Sequence, residues 1–79
     1  MSEKMPVVSG KDLLRALAKF GYKQMRTRGS HVQVVKFFPD GSANTFPVPV
    51  HGKSALPKGT LRDIPRQAGM TIDELRSLL

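Results

Sequence analysis

Two closely placed turn signals, Gly29-Ser30 and Pro39-Asp40-Gly41, constrain this chain more than any other feature. They divide its middle into three short runs: Tyr22 to Arg28, His31 to Phe38 and Ala43 to Val50. Glycine tolerates positive φ and proline presets the first turn residue, so both segments favour tight reversals. Runs joined this tightly pair as hairpins. The expected product is an antiparallel sheet with the second run in the centre. That run is rich in Val and Phe, the side chains a central strand accommodates best. In the third run Pro47 and Pro49 cannot donate ladder hydrogen bonds, which places it at a sheet edge.

A three-stranded sheet leaves one apolar face bare unless something covers it. The flanking sequence supplies that cover. Ser9-Gly10-Lys11-Asp12 has the form of a capping box, with Ser9 as N-cap and Asp12 at N3. Behind it Leu13, Leu14, Leu17 and Phe20 recur at helical spacing, while Lys11, Arg15 and Lys19 fall on the other side. Gly21 suits the left-handed position that ends a helix. Downstream, Leu61, Ile64 and Ala68 mark a helix from Lys58 to Ala68, in which Pro65 predicts a kink or an early stop. Thr71-Ile72-Asp73-Glu74 is a second capping box, opening a short helix with the stripe Ile72, Leu75 and Leu78. His51 to about Pro57 reads as a loop. The expected fold class is α+β. It is a two-layer sandwich in the order α-β-β-β-α(-α), with the helices on one face of the sheet and the other face open. Residues 1–8 read as a short flexible N-terminal segment and 9–79 as a single domain.

Several function classes drop out on composition. The chain has 79 residues and no cysteine, so neither disulfides nor thiolate metal sites can support its small core. Lack of cysteine agrees with a reducing, cytoplasmic setting. No run approaches the ~20 apolar residues of a membrane span, and Met1 to Val8 lacks the apolar region of a signal peptide, so no membrane role is expected. The net charge, in contrast, is informative. It is +7, and no Asp or Glu lies between Leu13 and Pro39, where Arg15, Lys19, Lys23, Arg26, Arg28 and Lys36 stand. From Gly41 to Arg62 there is again no acid, with Lys53, Lys58 and Arg62 present. Such a field favours a polyanion, and nucleic acid is the commonest one.

The acids have other roles. Asp12, Asp73 and Glu74 fall in helix first turns, Asp40 in the Pro-Asp-Gly turn, Asp63 between Arg62 and Arg66 as a surface partner, and Glu3 in the lead-in. No carboxylate pair has metal-ligand spacing, and the two histidines are far apart in sequence, so neither a metal nor a cofactor is expected. What remains is His31, directly after the basic segment Arg26-Thr27-Arg28-Gly29-Ser30. An imidazole can take a proton near neutral pH. RNA carries its own nucleophile, the 2′-hydroxyl beside the scissile phosphate. One base plus cations, with Arg26, Arg28 and Lys36 as phosphate contacts, is therefore sufficient chemistry for cutting it. The alternative is that His31 merely starts a strand.

Three further segments each admit two readings. His51 is either a general acid or phosphate contact, or a loop residue fixing a turn with Gly52. Lys58-Gly59-Thr60 either presents donors to phosphate or simply begins a helix. Val34-Val35 and Phe37-Phe38 break strict alternation. Either Val35 and Phe37 stay on the open face as a protein-binding patch, or a bulge buries them.

Taken in order, Gly10-Lys11-Asp12-Leu13-Leu14, Phe20-Gly21-Tyr22, Arg28-Gly29-Ser30-His31, Pro39-Asp40-Gly41, Val48-Pro49-Val50-His51-Gly52, Leu56-Pro57-Lys58-Gly59-Thr60-Leu61 and Gln67-Ala68-Gly69 resemble HicA-type toxins. The resemblance implies a double-stranded-RNA-binding-domain-like fold. It implies an mRNA interferase, an endoribonuclease of a bacterial toxin–antitoxin pair. It further implies a HicB-type antitoxin partner in a hetero-oligomer, and carries the family's essential histidine onto His31. With it, Arg26, Arg28, Ser30, Lys36, Lys53 and Lys58 become expected RNA contacts, and Val35 and Phe37 expected antitoxin contacts. The rival class is a non-catalytic module that binds double-stranded RNA.

Overall fold

The computed structural model describes residues 6–52 and 54–79, so Lys53 lies outside the described residues. The chain runs α1 (Gly10–Lys19), β1 (Lys23–Arg28), β2 (His31–Phe37), β3 (Ala43–Pro49), α2 (Lys58–Ala68) and α3 (Ile72–Leu78). The strands form one antiparallel sheet in the order β1-β2-β3, with β2 central and the proline-bearing β3 at an edge. This is the expected α+β sandwich with an open sheet face.

The core forms between the sheet and the helices. Leu13 and Leu17 of α1, Val32 and Val34 of β2, Phe46 and Val48 of β3, Leu61 and Ile64 of α2 and Leu75 of α3 pack into one cluster. Each fully buried leucine contributes about 1.5–3 kcal/mol of transfer free energy. Tyr22 joins them, its ring 5.2 Å from that of Phe46. Its hydroxyl donates to the Ala68 carbonyl at 3.2 Å and accepts from Asn44 Nδ2 at 2.8 Å. Asn44 also donates to Gln67 O at 2.7 Å, so β3 is tied to the end of α2 by a satisfied polar network.

Three local expectations change. Val8, placed in the flexible lead-in by the sequence, is buried in the core. Its carbonyl accepts from the Leu56 N–H at 2.8 Å, and Ser9 bridges Ala55, so pairing holds this segment down. Pro65 does not stop α2 early; the helix continues to Ala68 and ends at Gly69 with φ 80°. The proline ring is fully buried, and that packing offsets the one backbone donor it lacks. At α1 only half of the capping box forms. Ser9 Oγ accepts from Asp12 N at 3.2 Å, while the Asp12 carboxylate turns to Arg15 at 3.3 Å. The Thr71–Glu74 box is complete.

Gly10 is the tightest joint between the layers. A Cβ there would collide with the Pro49 carbonyl oxygen and lie 2.9 Å from Val50 Cα. The start of α1 thus rests on the end of β3, just before His51.

Candidate nucleic-acid interface

The strand register arranges the open face in rows. The two-residue turn at Gly29-Ser30 pairs Arg28 with His31, and β3 brings Pro49 to the other side of His31. One step along β2 the row is Arg26, Gln33 and Pro47. The next is Lys23, Val35 and Thr45, and the last places Ala43 beside Phe37. Alternation keeps these residues on one face and Val32, Val34 and Lys36 on the other.

A bulge makes the β1 column basic. The register shifts between Gln24 and Arg26, leaving Met25 as the extra residue. Without it Lys23 and Arg26 would point to opposite faces, because strand side chains alternate. With it Lys23, Arg26 and Arg28 all flank the central column. None of the three is held in an ion pair; among the described residues these are Arg15–Asp12 and Arg76–Asp73.

Met25, Arg26, Arg28, His31, Gln33, Thr45 and Pro47 line a shallow depression of about 500 Å³. His31 is exposed at one end of it. Ser30 sits in the adjoining turn and its carbonyl accepts from the Val50 N–H at 2.6 Å. That bond brings His51 to the same end of the sheet as His31, although His51 does not line the depression. His51 is exposed and its carbonyl accepts from Ser54 N at 3.1 Å.

Other expected contacts lie elsewhere. Lys36 is on the helix-covered face. Its ammonium donates to the Phe20 carbonyl at 2.9 Å and lies 4.5 Å from the centre of the Phe20 ring. There it neutralises the C-terminal end of α1, on the face opposite His31. Lys36→Gln should therefore lower stability by about 1–2 kcal/mol. Denaturant unfolding of the variant beside wild type checks this. Lys58 is exposed at the first turn of α2, in the helical layer rather than in the depression. Asp63 forms no ion pair with Arg62 or Arg66, contrary to expectation. Val35 faces the open side but is only 6% exposed, whereas Phe37 is 71% exposed.

Residue patterning missed Gln33 and Thr45, and gave Lys23 only as part of the basic field. Gln33 Nε2 donates to Thr45 Oγ1 at 2.8 Å, and Thr45 Oγ1 donates to the Val34 carbonyl at 2.7 Å. Neither side chain carries charge, and their pairing appears only in the register.

Among the described residues no three His, Cys, Asp or Glu side chains form a metal-binding group, and no helix is long and apolar enough to cross a membrane. No curated protein matches the chain at a significant level. Residues 10–70 do match a family model, described as the HicA toxin of bacterial toxin–antitoxin systems. The match takes in both helix–sheet joints, the whole open face and α2. With an ordered sequence pattern, the α+β fold and a basic open face with a histidine at its end all in agreement, the chain belongs to the HicA toxin family.

Proposed function

We propose that this toxin is a metal-independent endoribonuclease that cuts mRNA in the bacterial cytoplasm, with His31 as general base. The observation that carries the reading is the placement of an exposed imidazole directly beside Arg28, on the face that also bears Arg26 and Lys23. His31 takes the proton of a ribose 2′-hydroxyl. The freed oxygen attacks the adjacent phosphorus, and the 5′-oxygen of the next nucleotide leaves with a proton. The products are a 2′,3′-cyclic phosphate and a 5′-hydroxyl. Attack is intramolecular, so the protein need only position the strand, move protons and neutralise the phosphate. Arg26 and Arg28 hold that phosphate. His51, at the same end of the sheet, is the candidate to protonate the leaving oxygen. Ser30, in the turn between Arg28 and His31, contacts the strand as it enters; Lys58, exposed at the start of α2, meets the RNA farther from the cut, and Lys53 is a further RNA contact.

The family places an antitoxin beside this toxin. We assign that role to a HicB-type protein that covers the open face. Phe37 shares this face with His31, and its exposed ring offers the apolar anchor, while Val35 is too buried to serve. Purified toxin should cut RNA in excess EDTA, and one equivalent of antitoxin should stop it. RNA that stays whole beside folded, antitoxin-free toxin would refute the proposal.

A further inference from the structure

We propose that Gln33 reads a nucleobase of the bound strand and that Thr45 is the residue that aims it. The inference rests on the reading of the open face as an RNA-cutting site. It begins from hydrogen-bond chemistry that fixes an orientation. A carbonyl oxygen only accepts, so at 2.7 Å from Val34 O the Thr45 hydroxyl must donate its single proton there. Thr45 Oγ1 can then only accept from Gln33, 2.8 Å away, which turns the amide nitrogen of Gln33 toward Thr45. The amide is thereby locked. Among the described residues its Oε1 and its second N–H have no hydrogen-bond partner, and Gln33 lines the depression.

Position gives this pair a use. Gln33 is two residues from His31 on the same strand face, about 7 Å along β2. Arg26 stands directly beside it on one side and Pro47 on the other. A phosphate held by Arg26 and Arg28 with its ribose at His31 therefore brings a neighbouring base over Gln33. A fixed acceptor beside a fixed donor matches a base edge that offers donor beside acceptor. Adenine, through N6–H and N7, is the usual partner of a glutamine amide. Single-stranded RNA presents such edges freely. A glutamine left free to rotate would accept several edges equally; Thr45 removes that freedom.

The test uses short RNAs that differ only in the base on either side of the mapped cut, with wild type, Gln33→Ala, Thr45→Val and Thr45→Ser. Wild type should favour adenine at one of these positions by about tenfold in kcat/KM. Gln33→Ala and Thr45→Val should erase the preference, lowering kcat/KM about tenfold more on the adenine RNA than on the others, and Thr45→Ser should keep it. A wild type without preference, a preference that survives Gln33→Ala, or an equal loss on every RNA would overturn the assignment. Should wild type leave all the RNAs whole, the cleavage reading fails by itself. Fluorescence anisotropy of the same RNAs then decides Gln33: a tenfold adenine preference in binding that Gln33→Ala removes supports it, and equal affinities overturn it.

Discussion

Replacing His31 with alanine should lower the rate of RNA cutting by about 10²- to 10⁴-fold, the range general-base catalysis supplies. The same change should leave stability within about 0.5 kcal/mol of wild type. The two expectations separate because of where the residue sits. His31 is exposed at the first position of β2, opposite Arg28 and Pro49, and belongs to no part of the packed core. Its removal opens no cavity and orphans no buried partner. Unfolding curves measured beside initial cleavage rates check both halves. In bacteria, induction of the native chain should arrest growth and induction of His31→Ala should not. An active His31→Ala chain would move the base elsewhere. An inactive but strongly destabilised one would mean that the histidine holds the fold.

Arg26→Gln and Arg28→Gln together should slow cutting by on the order of 10²- to 10³-fold, the loss seen when a group stabilising transition-state charge is removed. Binding should change in a second, quantitative way. Each phosphate contact on a single strand contributes about 0.7 to the slope of log affinity against log salt, so losing two should flatten it by about 1.4. Both guanidiniums are exposed and unpaired, so the double variant should fold normally. Lys36→Gln is the matched control. It removes a positive charge from the opposite face of the same hairpin, beyond the Lys23–Val35 row, and should touch neither slope nor rate. A double variant that cuts RNA at the native rate would show that the β1 column is a solvated surface.

The contrast between Arg26 and Lys36 also shows how far residue patterns reach. Turn chemistry at Gly29-Ser30 and Pro39-Asp40-Gly41, with the helical leucines around it, was enough to order the elements, centre β2 and leave one face open. The Arg28–His31 row was legible too, because a two-residue turn dictates its own pairing. The β1 bulge was not. It decides that Lys23 shares a face with Arg26, and no glycine or proline announces Met25 as the extra residue. The side on which Lys36 lies was not legible either, because charge alone says nothing about side; its partners, the ring and carbonyl of Phe20, meet it only once α1 packs on the sheet. The early stop expected at Pro65 fails for a related reason. A local rule against proline in helices gave way to tertiary burial of its ring. Gln33 and Thr45 were silent in the sequence, since their meaning lies in a cross-strand diagonal, one row apart.

The most direct measurement replaces a single ribose. An RNA with one mapped cut is prepared in two forms, all-ribose and with a 2′-deoxy nucleotide on the 5′ side of that cut, and each is incubated with the toxin in EDTA. The all-ribose strand should yield a 2′,3′-cyclic phosphate and a 5′-hydroxyl, and the substituted strand should remain whole at that bond. Equal cutting of both strands, or cutting of neither until a divalent metal is restored, would contradict a histidine-initiated attack by the ribose on its own backbone.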